Sequence, residues 1–261
     1  MTDQPWLSIV TVVKDAPAEL ARSLHSLSNQ DLSNVEYIVI DSSEDADQVP
    51  TLLAQTEPRV DFQWTPPAGI YSAMNLGLEK AHGRYIYFLN AGDELLPEVL
   101  GRVRAIAEST DASWLIGTVE VIAANGSSVT TPVWDFQAEQ RALFARGHFA
   151  PHQGTFASVH DLRSAGGFDP SFHIAADYAA FLQLSKLSTP VMVHFPIARF
   201  HEGGLSTQRW QASFREFHRA RRTILRPRGS AAARELLSSG RHFLAVGIYR
   251  GIWSKVVRHG Q

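Results

Sequence analysis

Asp41 follows the apolar run Tyr-Ile-Val-Ile, and Asp93 follows Tyr-Ile-Tyr-Phe-Leu-Asn-Ala-Gly. A carboxylate at the end of a buried strand either accepts hydrogen bonds from a ligand, such as a nucleoside base or ribose, or closes a turn. Asp93, beside a glycine, also suits a hard divalent cation. Ions of the magnesium type use one or two carboxylates together with substrate phosphates. Polar clusters interrupt apolar segments later in the chain: Pro151-His152-Gln153, Gly166-Gly167-Phe168-Asp169, Ala176-Asp177-Tyr178 and His201-Glu202-Gly203-Gly204. Asp177 stands where a helix begins, a place that favours negative charge whatever its chemistry. His152 and Gln153 can bind substrate hydroxyls or a phosphate, or bond within a loop. His201 can hold a transition ion through neutral imidazole, or lie on the surface. Trp64 and Tyr71 offer ring faces to a sugar or base, or to a core.

The elements that must position these groups alternate. Leu7–Val13 is a short β-branched run that reads as a buried strand. Pro17 opens a helix with Leu20, Leu24 and Leu27 at helical spacing. Val35–Ile40 is a second strand, and Asp45 is placed to cap a helix over about 46–56. Val60–Trp64 and Tyr85–Leu89 read as strands on either side of a helix over 69–82. A helix from Pro97 to about Glu108 and a strand over Trp114–Ile122 follow. This alternation predicts an α/β domain with a mostly parallel sheet. Ligands of such sheets bind beyond the carboxyl ends of the strands, where Asp41 and Asn90–Glu94 fall. From 125 to 205 the pattern is less regular: Asn125-Gly126 predicts a hairpin turn, and helices are expected over 136–146 and 176–187.

Composition removes several classes. The chain has 261 residues, 44% of them hydrophobic and 19% charged, which excludes a disordered protein and allows one large domain or two small ones. With no cysteine there is no disulfide scaffold, zinc–thiolate site, iron–sulfur cluster or cysteine nucleophile. The N-terminal residues lack a signal-peptide pattern, and no uncharged apolar stretch of about 18 residues predicts a membrane span. Neither Gly-x-Gly-x-x-Gly after the first strand nor a Walker loop nor Gly-x-Ser-x-Gly is present. The net charge of −2 conceals an asymmetry: residues 214–258 hold eleven basic and two acidic side chains, leaving the rest of the chain strongly acidic. Phe243, Leu244, Ile248, Ile252, Trp253 and Val256 fall on one helical face. Such a tail suits an anionic membrane surface, or packs on the core with a solvated basic rim. No nucleic-acid partner is expected.

Ordered motifs give a resemblance. Ser8-Ile-Val-Thr-Val-Val-Lys14, Ile38-Val-Ile-Asp41-Ser-Ser-Glu-Asp45, Gly69-Ile-Tyr-Ser-Ala-Met-Asn-Leu-Gly77 and Gly83-Arg-Tyr-Ile-Tyr-Phe-Leu-Asn-Ala-Gly-Asp93-Glu-Leu95 resemble family 2 glycosyltransferases. The segments around His152-Gln153, Gly167-Phe168-Asp169, Ala176-Asp177-Tyr178 and Phe200-His-Glu-Gly-Gly-Leu-Ser206 are similar to the bacterial surface-polysaccharide branch. The resemblance covers about residues 7–207. It implies a GT-A, Rossmann-like fold, a hexosyltransferase type of activity, a nucleotide-diphosphate sugar donor (uridine diphosphate favoured), a divalent metal (Mn²⁺ or Mg²⁺) and inversion at the anomeric carbon. It divides the chain into a GT-A domain over 1–207, with a nucleotide-binding part over about 1–125 and an acceptor part over about 126–207, and a basic helical tail over 208–261.

Residue by residue, the resemblance places Thr11, Val13, Lys14, Asp41, Asn75, Asn90 and Asp93 at the donor, Asp93 at the metal with His201 as a further ligand, and Asp177 as catalytic base. His152 and Gln153 fall to the acceptor or a phosphate. The acceptor would be a saccharide or a lipid-linked oligosaccharide, and the enzyme cytoplasmic, peripheral on the inner face of the membrane. Three positions depart from the family pattern: Pro67 and Ser72 stand where acids are frequent, and the metal motif Asn90-Ala-Gly-Asp93 lacks its first acid. These departures leave open a catalytically degenerate nucleotide- or sugar-binding partner subunit. A sugar nucleotidyltransferase is a third reading, disfavoured by the missing glycine-rich loop.

Overall fold

The computed structural model describes residues 4–54, 59–123, 125–131, 151–201, 209–241 and 243–244. Strand β1 (Leu7–Val13) is apolar on both faces and buried throughout. Its side chains alternate between two cores, as the two-residue period of a strand requires. Leu7, Ile9 and Val13 face one side with Tyr37 and Val39. Val10 and Val12 face the other with Ile38 and Ile40. Strands β2 (Val35–Asp41), β3 (Asp61–Trp64) and β4 (Tyr85–Phe88) join β1 in parallel.

Three helices pack on the sheet, two against the parallel strands and the third against its far half. On α1 (Pro17–Leu27), Leu20, Leu24 and Leu27 turn inward. On α3 (Ile70–Lys80), Tyr71, Met74 and Leu78 do so. The third, α4 (Val99–Thr110), starts two residues beyond Pro97. The short helix α2 (Gln48–Leu53) begins later than expected, with Asp47 as its N-cap residue. Asp45 does not cap it; its carboxylate instead accepts the Asp47 N–H at 3.1 Å and closes the turn before it.

Beyond β4 the sheet changes character. The strand order is β3, β2, β1, β4, β8 (Thr155–Ser158), β6 (Trp114–Ile122), β9 (Val191–His201), β5 (Glu94–Leu95), with β7 (Ser128–Thr130) on the edge of β6. Strand β8 is antiparallel to both β4 and β6. β7 returns on β6 through the Asn125-Gly126 turn. β9 runs parallel to β6 and carries the two-residue β5 on its other side. A 3₁₀ turn at His152–Gly154 leads into β8, and α5 (Val159–Ser164) leaves it.

Helix α6 (Ala176–Leu187) lies almost wholly in the core. Helix α7 (Trp210–Leu225), from the basic tail, packs on α6, with Ala220 fully buried. A further helix, α8, covers residues 230–241. It is tied to α7 by Arg221, 2% exposed, whose guanidinium donates to Glu235 and Ser239. The helices expected over 136–146 and around Ile248–Val256 fall outside the described residues. Among those described, no helix is long and apolar enough to cross a membrane.

Candidate active site

The carboxyl ends of β1 and β2 are locked to each other. Asp15, in the left-handed region at φ 50°, donates its N–H to Ser43 Oγ and accepts from Glu44 N. Asp41, the last residue of β2, is fully buried. Its Oδ1 accepts from Ser43 N at 2.9 Å and Ser43 Oγ at 2.6 Å. Its Oδ2 is buried with no hydrogen-bond partner. An unpaired carboxylate oxygen in that position is costly unless something else supplies a donor. Trp64, paired in register with Asp41, donates its indole N–H to Ser43 O at 3.0 Å and stays 43% exposed. Lys14 stands exposed at the rim beside Asp15.

The Asn90–Asp93 turn follows β4. Gly92 sits at φ 99°, a conformation that side chains with a Cβ rarely take. Two serines of α1 brace it: Ser23 Oγ accepts from Gly92 N and donates to Asp93 O, and Ser26 Oγ accepts from Leu95 N. The turn thereby holds Asp93 in the interior, 5% exposed. Burial pushes its carboxyl up from 3.8 to about 6. The imidazoles of His152 and His201, insofar as they carry protons, and a hydrogen bond from Gln153 pull it back, while Glu94 adds to the rise. His201, at the end of β9, meets Glu94 through Nε2 at 2.8 Å. Among the described residues no three His, Cys, Asp or Glu side chains gather as a ready metal cage.

Asp177 approaches the same turn from the first turn of α6. Its Oδ1 accepts the Tyr178 N–H at 2.7 Å, and Tyr71 Oη lies 3.4 Å away while donating to Ile174 O at 2.6 Å. Its Oδ2 is 3.1 Å from His152 Nδ1, and His152 Nε2 is 2.9 Å from Asn90 Nδ2. Tyr71 is held far above its ordinary phenol pKa by burial and by the Asp177 charge, so it serves as a neutral hydroxyl. The loop before Asp177 is gripped from α7: the Glu216 carboxylate accepts from His173 N, Ile174 N and Ala175 N at 2.8–3.0 Å.

Asn90, Asp93, His152, Gln153 and Asp177 thus come together, with His201 adjoining through Glu94. Three residues expected at the donor are otherwise engaged. Thr11 is fully buried, its hydroxyl held between Tyr37 Oη and Leu89 O. Val13 packs in the core, and its carbonyl holds Ser42 N. Asn75 brackets Phe168, donating to its carbonyl at 2.6 Å and accepting from its N–H at 2.9 Å. That amide serves the Gly167 turn, where an added Cβ would lie 2.7 Å from Asn75 Oδ1. Sequence reasoning missed Asp15, Ser23, Ser26 and Glu216. Ser23 and Ser26 carried a signal, being polar at positions beside the inward leucines of α1; Glu216 carried none.

The family model of glycosyl transferase family 2 matches residues 8–160, more than half of the chain. The chain belongs to glycosyl transferase family 2. Among curated relatives, the transferase is 28% identical over 215 residues to an uncharacterized glycosyltransferase of Mycobacterium tuberculosis, covering 80% of each chain. It is 26% identical over 213 residues to a PGL/p-HBAD biosynthesis glycosyltransferase of Mycobacterium bovis, covering 77% of this chain and 79% of the relative. Its fold matches that of S. aureus TarS residues 1–349 with a TM-score of 0.62 at 15% identity, over 82% of this chain and 64% of TarS 1–349. TarS 1–349 has also been solved in complex with UDP and with UDP-GlcNAc. The expected GT-A, Rossmann-like architecture is therefore the one observed.

Proposed function

We propose that this glycosyltransferase is an inverting, metal-dependent enzyme that moves a sugar from a nucleotide-diphosphate sugar, with uridine diphosphate favoured, to a saccharide or lipid-linked acceptor. The observation that carries this reading is the meeting of Asp177 with the Asn90–Asp93 turn through His152. That contact brings a carboxylate able to take a proton into one cluster with the turn that would meet the diphosphate, which supports the reading. The buried, unpartnered Oδ2 of Asp41 supports the donor half, since the N–H of a base or a ribose hydroxyl satisfies it. The complexes of TarS with UDP and UDP-GlcNAc support uridine diphosphate.

In this mechanism Asp177 removes the proton of the acceptor hydroxyl as that oxygen attacks the anomeric carbon. The bond from that carbon to the diphosphate oxygen breaks on the opposite face, its electron pair leaving with the nucleoside diphosphate. One displacement inverts the configuration. Base assistance of this kind contributes about 10²–10⁴-fold. Asp93 fits a divalent cation: its carboxylate is buried, and burial pushes its pKa up to about 6, a cost that a bound cation would offset. It would hold the ion together with diphosphate oxygens and waters, with His201 as a further ligand. Such an ion supplies neutralisation of charge on the departing diphosphate.

A thermal-shift panel of nucleoside diphosphates, each with Mn²⁺ or chelator, tests the reading. One nucleotide should raise stability by about 2.7 kcal/mol at a hundred times its Kd, only with Mn²⁺, and not in Asp93→Asn. No shift with any nucleotide would overturn it.

The tail supports a place on the inner membrane face. On α8 and just beyond it, Leu236, Leu237 and Leu244 are exposed while Glu235 and Ser239 turn inward to Arg221. Deletion of residues 240–261 should release the protein from anionic vesicles; equal binding by the truncated chain refutes the location.

A further inference from the structure

We propose that His152 is a positioning residue for the transfer, and that Asn90 selects the tautomer in which it works. The proposal rests on the reading of Asp177 as base. It revises the sequence expectation that His152 touches the acceptor or a phosphate. It also gives Asn90 a purpose other than that of a lost metal ligand.

The argument is one of donors and acceptors. An ionised carboxylate only accepts, so His152 Nδ1, 3.1 Å from Asp177 Oδ2, must carry a hydrogen. The amide nitrogen of Asn90 only donates, so His152 Nε2, 2.9 Å from it, must offer a lone pair. Together they fix a neutral imidazole protonated on Nδ1. Both ring nitrogens are engaged and the side chain is only 13% exposed, so the ring has no free atom for substrate. Its action passes through Asp177. With Oδ2 held by His152 and Oδ1 by Tyr178 N, the carboxylate cannot rotate, and its remaining lone pairs keep one direction.

The residue type at position 90 now has a chemical consequence. The Asp177 carboxylate against Nδ1 accepts equally from a neutral Nδ1–H ring and from an imidazolium. The amide N–H of Asn90 opposes it, because a protonated Nε2 would set donor against donor. An aspartate at 90 would accept from a protonated Nε2 instead, and the hydrogen-bond pattern would then suit a doubly protonated ring beside Asp177. Asn90 thus keeps a cation away from the base, while its own Oδ1, buried and unpartnered, stays available as an acceptor.

The test uses the full chain and two readouts. The ¹⁵N shifts of the His152 ring should show the neutral Nδ1–H form at pH 7.5, replaced in Asn90→Asp by the doubly protonated ring. A doubly protonated or Nε2–H ring in the native protein overturns the proposal. The second readout is UDP release from UDP-GlcNAc with water as acceptor. His152→Ala should lower kcat by about 10–100-fold, the scale of a misplaced catalytic group, with KM little changed. His152→Asn, whose amide N–H can stand in for Nδ1–H, should recover most of that loss. Full kcat in His152→Ala, or no advantage of Asn over Ala, refutes the positioning role. Full activity in Asp177→Asn would instead refute the base reading beneath it. Should native protein release no UDP, the ring shifts alone decide.

Discussion

The two sides of the site are built by different means. On the proposed donor side, Asp41 ends its own strand and is held by its own loop, while Asp93 sits in a turn braced by two serines of the neighbouring helix α1. Ser43 holds Asp41 from two residues away, and Asn90 O accepts from Asp93 N. On the other side, Asp177 depends on groups far off in sequence: His152 in a 3₁₀ turn, Tyr71 on α3 and, through its loop, Glu216 on α7. Local construction makes a site that survives change elsewhere in the chain. Distributed construction makes one that responds to every element holding it. The proposed base is therefore the more fragile half of the site and the half open to influence from the C-terminal helices.

The largest break in this comparison comes from the proposed base itself. Asp177→Asn should lower transfer by about 10²–10⁴-fold and leave nucleotide binding intact, as titration by calorimetry would show; loss of both together would mean that the two sides are not separable. Next comes the remote support. Glu216→Ala strands three backbone N–H groups, so we expect about 1–3 kcal/mol of stability lost and a fall in kcat of about tenfold with donor affinity unchanged. Glu216→Gln, which still accepts through its amide oxygen, should lie between. A Glu216→Ala enzyme with native kcat would show that the loop holds Asp177 without its clamp.

The last test lies on the proposed donor side, reads stability alone and depends on pH. Asp93 titrates near 6 in the fold against 3.8 in the unfolded chain, so the native state binds its proton more tightly. The stability this gives is complete below pH 4 and is lost as pH rises through 6. Asp93→Asn should escape that loss and end on the order of 2–3 kcal/mol above the native protein at pH 7.5. Thermal unfolding from pH 4 to 8 measures it: parallel curves for the two proteins would show that the buried carboxylate carries no such burden. Mn²⁺ should raise the native curve at pH 7.5 and leave Asp93→Asn unmoved.

What the sequence made legible divides along the same line. Leu7–Val13, Trp114–Ile122 and 176–187 emerge with their expected bounds, because a long apolar run or a helical period leaves one reading. Asp41, Asp93 and Asp177 stood out in the sequence because each lies at or near the edge of such a run, and their roles there remain the proposal. β8 was missed: four residues, Thr-Phe-Ala-Ser, are too few for a period to show. β9 was missed because Pro196 and two histidines break its pattern, and its pairing with β6 shifts register at Thr118. The roles of Thr11 and Asn75 were hidden for a related reason. A polar residue beside a motif looks like a ligand contact until its partners, Leu89 O and the Phe168 backbone, are seen 78 and 93 residues away. Glu216 lies beyond the span that the family model matches, and no local pattern marks a carboxylate that caps another helix.

The insertion of β8 between β4 and β6 has a consequence for biosynthesis. β4 can pair with β1 once both have left the ribosome, but its other edge waits for residues 155–158. At roughly 5–20 residues per second, that edge stays open for several seconds on the ribosome. The strand left open is Tyr-Ile-Tyr-Phe, every residue of which is buried in the finished protein. Aromatic, uncharged and free of proline, it is the kind of edge that pairs with a neighbouring chain if its own partner is late. Slow translation between residues 88 and 155 would therefore lower the yield of soluble protein while leaving every folded molecule unchanged.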